Sequence, residues 1–430
     1  MSELDDLLAA CVAAPEDDGP RLVWADAIGG ERGEFVVVQC KLAREELSPA
    51  ERGALIARHD ELLVAHGLEW SGFAQATGVR RVQFRRGLVE AIEADVVRLP
   101  LTKLFAPAPL LTSCHLRGIG QSVDYREANE PDTPHPLERL RHLFAQPGLD
   151  RLRAIEIDDA HLYETTGDTE HHFDATSFAD GVLALIASSG ALAGFRGLAI
   201  HDTFTERGIP ELIGSNALAS LEALAFRYGK ASDAQGRELL AAMPNLRSLS
   251  LYRAIDVGPI ADHLPPNLVE LSACLAEGEL EQLAASPIAR QLERLELLGP
   301  FELAQLAAFP RVRSLVIRYA HGGASQIAAL AKTSLPALRE LSLPSETSDA
   351  RAVAEAFGPQ LDCLDIRGID NLVHQTADLR SLVAGYVRGN ETGFPWNKVA
   401  SVTMERPLEI GTNTREPWLR HGLVPLSTTG

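Results

Sequence analysis

Three clusters of residues in this chain have types and spacings that chemistry could use. The first is "PEDDGPRLVWADAIGGERGEF", where Asp17, Asp18, Asp26 and Glu34 stand close enough to suggest paired carboxylates doing general acid–base work. The second is "DDAHLYETTGDTEHHFDA". There His161, His171 and His172 lie among Asp158, Asp159, Glu164, Asp168, Glu170 and Asp174, a donor set open to a hard or borderline metal ion. The third is Cys363, two residues before Asp365, a thiol beside a carboxylate.

Each cluster weakens against its surroundings. Asp17 and Asp18 precede Gly19-Pro20, where negative charge suits a helix N-terminus. Asp26 and Glu34 read as capping or inter-helix contacts. In the His-rich stretch no two histidines have the i,i+4 spacing of a helical metal site, and acidic loops are ordinarily solvated. Cys363 falls inside a strand unit, "LDCLDI", whose core positions are Leu361, Leu364 and Ile366. The chain has no Gly-x-x-x-x-Gly-Lys-Ser/Thr, no Gly-x-Gly-x-x-Gly leading from strand to helix, no Gly-x-Ser-x-Gly and no His-Glu-x-x-His. The reading is a protein that is not an enzyme, with no catalytic residues, no cofactor and no metal. The alternative within chemistry is an enzyme with a metal site borne on the His-rich loop.

Bulk properties narrow the class. At 430 residues the chain is long enough for two or three domains or one repeat array. A formal charge of −19 argues against general nucleic-acid binding, which needs a basic excess to displace counterions. The cysteines (Cys11, Cys40, Cys114, Cys274, Cys363) are odd in number and form no Cys-x-x-Cys, which suits reduced thiols in a cytosol. Acids replace the basic start of a signal peptide in "MSELDDLLAACVAAPEDD", and no stretch approaches the roughly 20 apolar residues of a membrane span. A soluble cytoplasmic protein without membrane contact is expected.

The elements follow from punctuation and period. Ser2 with Asp5 caps a helix carrying Leu4, Leu7, Leu8 and Val12; Gly19-Pro20 starts a second with Leu22, Val23 and Ile28, and Gly29-Gly30 ends it. A third helix covers Phe35 to Arg44. Ser48-Pro49-Ala50-Glu51 opens a fourth that runs to about His66, where Gly67 stops it. Beyond Arg80 a Leu-x-x-Leu-x-Leu unit recurs. It reads "LRAIEI" from Leu152, "FRGLAI" from Phe195, "LEALAF" from Leu221, "LRSLSL" from Leu246 and "LVELSA" from Leu268. It continues as "LERLEL" from Leu292, "VRSLVI" from Val312, "LRELSL" from Leu338, "LDCLDI" from Leu361 and "VASVTM" from Val399. Weaker relatives lie around Gly87–Ala94 and Leu111–Leu116. From Phe195 to Leu361 successive units start 26, 25, 22, 24, 20, 26 and 23 residues apart, the period of leucine-rich repeats. Each unit is one short strand plus a helical return arm, and no unit buries its leucines without neighbours.

The fold class expected is therefore α/β: a leucine-rich-repeat solenoid, a curved parallel sheet with helical return arms, behind a small all-α N-terminal module. The domains expected are a helical module over 1–80, a solenoid over 81–405 with an insertion near 158–176, and a capping tail over 406–430.

"RLVWADAIGGERGEFVVVQCKLAR", with "HGLEW" after it, resembles the bacterial repeat-companion domain, a helical module found ahead of leucine-rich repeats. The matching residues are Arg21, Leu22, Ala25, Asp26, Gly33, Glu34, Phe35 and Gln39, and "RRGLVEAIEADV" resembles the strand that follows the module. The departures are Ala27 in place of the usual Trp and a shorter link between Asp26 and Gly33. The resemblance covers about the first ninety residues and implies architecture and a binding role, not chemistry. The Cys-x-Asp spacing at Cys363 is similar to that of bacterial leucine-rich-repeat ubiquitin ligases, but too little chain follows it for their helical catalytic domain.

Residues between the core leucines line the concave face, since strand side chains alternate. The column after each unit includes His201, Arg227, Tyr252, Arg318 and Arg367; the first outward column includes Arg247 and Arg313. Arg and Tyr are interface hot-spot types, and the column between the last core positions is small, as in Ala199, Ala225, Ser250, Ser272 and Ser342. These residues are expected to bind another protein through an acidic segment, making the chain an adaptor or regulator. The alternative from another class is an inhibitor or protease substrate in a bacterial signalling or defence module, switched at 158–176.

Overall fold

A computed structural model describes residues 2–43, 47, 49–74, 78–95, 99, 101–117, 136–158, 175–215, 218–320, 329–343, 356–357, 360–361, 363–366, 382–384, 402–404 and 423–425. The chain forms two compact units, Met1–Ser220 with Asn413–Gly430, and Leu221–Thr412.

The first unit opens with four helices, α1 (Glu3–Ala13), α2 (Asp18–Ile28), α3 (Gly30–Leu42) and α4 (Pro49–Trp70). Ser2 and Asp5 form the capping box of α1: the Asp5 N–H donates to Ser2 Oγ, and the Ser2 N–H to Asp5 Oδ2 at 2.7 Å. Helix α2 begins two residues before Pro20, because Asp17 caps it by accepting from the Gly19 N–H at 2.8 Å. Pro20 is tolerated there, since first-turn N–H groups have no helical partner. Gly29 ends α2 at φ +61, and α3 starts at the next residue, five positions earlier than expected from sequence. Helix α4 does not stop at Gly67. It runs on to Trp70, whose ring packs 4.9 Å from Phe35 and 6.5 Å from Phe84, and tertiary packing outweighs one glycine.

The hairpin β1 (Val79–Arg85) and β2 (Leu88–Asp95) follows, and α3 packs on its turn. Gly87 sits at φ +83, and a Cβ there would lie 2.4 Å from Val36. Three polar side chains lock the module to the hairpin. Arg21, fully buried, donates to the carbonyls of Pro15, Arg85 and Arg86 and to Glu90 Oε1 at 2.7 Å. Gln39 donates to the Phe84 carbonyl and accepts the Gly87 N–H at 2.6 Å. Arg32 donates to the Gly87 carbonyl at 2.6 Å while its guanidinium stands 4.8, 5.0, 5.6 and 6.0 Å from the rings of Trp70, Phe84, Phe35 and Trp24. Burial pushes Arg32 down to about 10, so it remains a cation at neutral pH among four aromatic rings. Glu34 receives a bidentate contact from Arg58 at 2.6 and 2.7 Å, joining α3 to α4. Asp17, Arg21, Arg32 and Glu34 of the opening stretch thus make structural contacts.

Strands β3 (Ser113–Arg117), β4 (Ala154–Asp158) and β5 (Gly197–Phe204) continue from β2 in parallel, each beside the one before. Their return arms include α5 (Leu101–Phe105), α6 (Pro136–Phe144) and α7 (Ala175–Ser188), and α8 (Gly208–Ile213) follows β5. Of the tail, the described residues Leu423–Pro425 lie antiparallel along β1.

The second unit contains β6 (Ala223–Gly229), β7 (Ser248–Leu251), β8 (Glu270–Cys274), β9 (Arg294–Gly299), β10 (Ser314–Ala320), β11 (Glu340–Leu343), β12 (Cys363–Ile366), β13 (Leu382–Ala384) and β14 (Val402–Met404). They pair in parallel in chain order. Leu224, Leu249, Leu271, Leu295, Leu315 and Leu341 fall in one register row and are buried. The row two residues on, Phe226, Leu251, Ala273, Leu297 and Ile317, is buried as well. Return arms are α9 (Asp233–Ala241), with a Ser232–Gln235 capping box, α10 (Glu279–Ala285), and short 3-10 turns at Gly258–His263, Pro287–Arg290 and Leu303–Ala308. The architecture is the leucine-rich-repeat class expected, a parallel sheet with helical arms behind an all-α module. β13 is a strand inside what reads from sequence as a long arm.

Candidate partner-binding face

In the second unit the side chains facing away from the leucines form three rows. At the strand entries stand Ser248, Glu270, Arg294 and Ser314, in direct register. The middle row is Ala225, Ser250, Ser272, Glu296 and Val316. Small side chains at β6, β7 and β8 make this row shallow there. The exit row is Arg227, Tyr252, Cys274 and Leu298. Cys274 pairs with Leu298, and Tyr252 follows the Leu251–Ala273 pair.

The exit row carries a cation–aromatic stack. The guanidinium carbons of Arg227 and Arg253 lie 5.8 and 5.7 Å from the centroid of the Tyr252 ring. Arg253 reaches the ring because its backbone leaves β7 at φ +56, a left-handed conformation rare for a residue with a Cβ. Arg227, Tyr252, Cys274 and Leu298 are half-buried, and Arg253 is exposed. At β10 a register shift between Ile317 and Tyr319 turns Arg318 back, and its Nε donates to Glu296 Oε1 at 2.6 Å.

The arginines named from sequence therefore divide. Arg227 and Tyr252 come together, joined by Arg253, and Arg318 is paired with Glu296. Arg247 and Arg313 are exposed one residue ahead of β7 and β10, where their backbone N–H groups donate to the carbonyls of Glu222 and Glu293 at 2.7 Å. Arg247 is five residues from Tyr252, about 16 Å along an extended strand. Arg367 lies outside the described residues, as do His161, His171 and His172. Cys363 and Asp365 lie in β12 beside Glu340 and Ser342.

His201 belongs to the first unit and is buried at 6% exposure. Its Nε2 is 2.7 Å from Glu156 Oε1, and His115 Nε2 approaches the same oxygen at 3.7 Å. In the row with Glu156 and His115 stand Glu93 and Arg81, whose side chains meet at 3.3 Å. Polar contacts in this region therefore run between neighbouring strands, Arg81 to Glu93 and His201 to Glu156. The His-Glu-His contact escaped the sequence reading because its members lie 41 and 45 residues apart, counting from His115 to Glu156 to His201.

Among the described residues no group of three or more His, Cys, Asp or Glu is arranged to hold a metal ion. Burial pushes the thiols of Cys11, Cys40 and Cys114 up, Cys40 to about 12, which keeps them protonated and poor nucleophiles. No described helix is long and apolar enough to cross a membrane.

No protein-family model and no curated protein matches the chain. Among solved structures, the chain is similar to internalin C2 of Listeria monocytogenes at 18% identity and a TM-score of 0.28, over 44% of this chain and 82% of that one. It is similar to internalin F of the same organism at 12% identity and a TM-score of 0.28, over 67% and 92%. At that TM-score neither bears on function.

Proposed function

We propose that this chain is a non-enzymatic adaptor or regulator that binds another protein on the strand face of its second unit, through an acidic segment of that partner. The observation that carries this reading is the Arg227–Tyr252–Arg253 stack, two cations held about one aromatic ring beside a row of small side chains. On a chain of charge −19, a local cationic patch selects an acidic partner and disfavours polyanions in general. The helical module serves as the end cap of the repeats, in line with its repeat-companion resemblance, and buried free thiols suit a reducing cytoplasm. Capture from native lysate tests the reading. A stoichiometric partner should be retained by the native chain and lost with the Arg227→Glu, Arg253→Glu double variant. Equal capture by both, with the variant folded by circular dichroism, overturns it.

A further inference from the structure

We propose that the outer edge of β1, over Arg81–Gln83, docks a short extended segment of another protein with an aliphatic–aliphatic–proline sequence. The chain's own Leu423–Pro425 competes for the same edge. This surface lies in the first unit and does not depend on the binding reading above.

One edge of β1 pairs with β2 and the other with the tail segment, antiparallel. Gln83, Val82 and Arg81 stand opposite Leu423, Val424 and Pro425. The register of β1 against β2 shifts between Val79 and Arg81 and again between Gln83 and Phe84, so Arg81–Gln83 is its regular stretch. At the hairpin end, the carbonyls of Phe84, Arg85 and Arg86 already accept from Gln39 and Arg21. The edge is therefore a window of three residues. Pro425 has no N–H and finishes the ladder, which is where an edge strand tolerates proline. An occupant of this window is short, extended and antiparallel, and Leu423-Val424-Pro425 shows its sequence type.

The tail is a displaceable occupant. Because Pro425 cannot donate, the three pairs make at most about three backbone hydrogen bonds. Each is worth about a five-fold preference, so the closed tail outweighs the open one about a hundred-fold. A tethered segment competes at an effective concentration on the order of 1 mM. The same segment on a separate chain then binds the vacated edge with a Kd of about 10 μM, and the native chain about a hundred-fold more weakly. Once vacated, the edge offers unpaired N–H and C=O groups to an incoming strand. The tail thus screens out segments that pair less well than itself.

The probe is a fluorescent peptide of residues 419–430, titrated into the full-length chain and into its Leu423→Pro, Val424→Pro variant. That variant has three successive prolines and no N–H left to pair with β1. The variant should bind the peptide with a Kd of about 10 μM, and the native chain at least about ten-fold more weakly. The milder Val424→Gly variant should fall between them, and it decides the question if the proline variant does not fold. Hydrogen exchange should slow at Arg81–Gln83 when the peptide binds the variant. Equal affinity for native and variant chains, no binding to either variant at about 1 mM peptide, or protection outside β1 overturns the inference. Dimerisation of the variant through β1 without peptide would assign the edge to a second copy and overturn it as well.

Discussion

His201 Nε2 stands 2.7 Å from Glu156 Oε1 in a diagonal contact across β4 and β5. Ala199 is the residue directly opposite Glu156, and His201 is opposite Asp158. The methyl group of Ala199 leaves the space the imidazole crosses to reach back. With His115 at 3.7 Å from the same oxygen, one buried carboxylate ties three consecutive strands together.

Removing that carboxylate leaves the buried His201 imidazole without its partner at 2.7 Å. Glu156→Ala should cost about 2–3 kcal/mol in urea unfolding, and Glu156→Gln, which keeps an acceptor oxygen, less. A double-mutant cycle with His201→Ala should show coupling of about 1 kcal/mol or more. Additive losses would mean the contact contributes nothing of its own.

Two glycines with the same backbone angle should respond differently. Gly87 and Gly278 both have φ +83, but a Cβ at Gly87 would lie 2.4 Å from Val36, and one at Gly278 would meet nothing within 4 Å. Gly278→Ala should cost only the left-handed conformation, about 1 kcal/mol. Gly87→Ala adds the clash with α3 and should cost about 2–4 kcal/mol. Equal shifts in melting temperature would show that the hairpin turn does not bear on α3.

Thiol chemistry should sort the cysteines. Cys11, Cys40 and Cys114 are buried with raised pKa, and raising a thiol's pKa lowers its thiolate fraction at any pH below it. Iodoacetamide at pH 8 should label the Cys274 peptide of the folded chain and spare those three until denaturant is added. Labelling of Cys40 ahead of Cys274 would contradict the packing of α3.

Much of this architecture was legible because its signals are local. The Ser2–Asp5 box, Gly29 at a helix end and the Leu-x-x-Leu-x-Leu units each declare themselves within six residues. What escaped depends on partners distant in sequence. Gly67 reads as a stop until Trp70 is seen against Phe35 and Phe84. Strand β13 carried a usable signal in "LRSLVA" from Leu379, masked by Ala384 at the last core position. His201 was expected on the binding face, but its diagonal reach to Glu156 depends on Ala199 across the strand pair, which no local pattern encodes. Arg253 joined the candidate site only through a positive φ that residue type does not announce.

Hydroxyl-radical footprinting of the chain, alone and in complex with the partner captured from lysate, tests the central claim most directly. Oxidation of Tyr252, Cys274 and Leu298 should fall in the complex, while exposed Leu4, Val64 and Leu68 of the helical module keep their reactivity. Protection confined to the module, with the exit row of the second unit unchanged, would contradict the account.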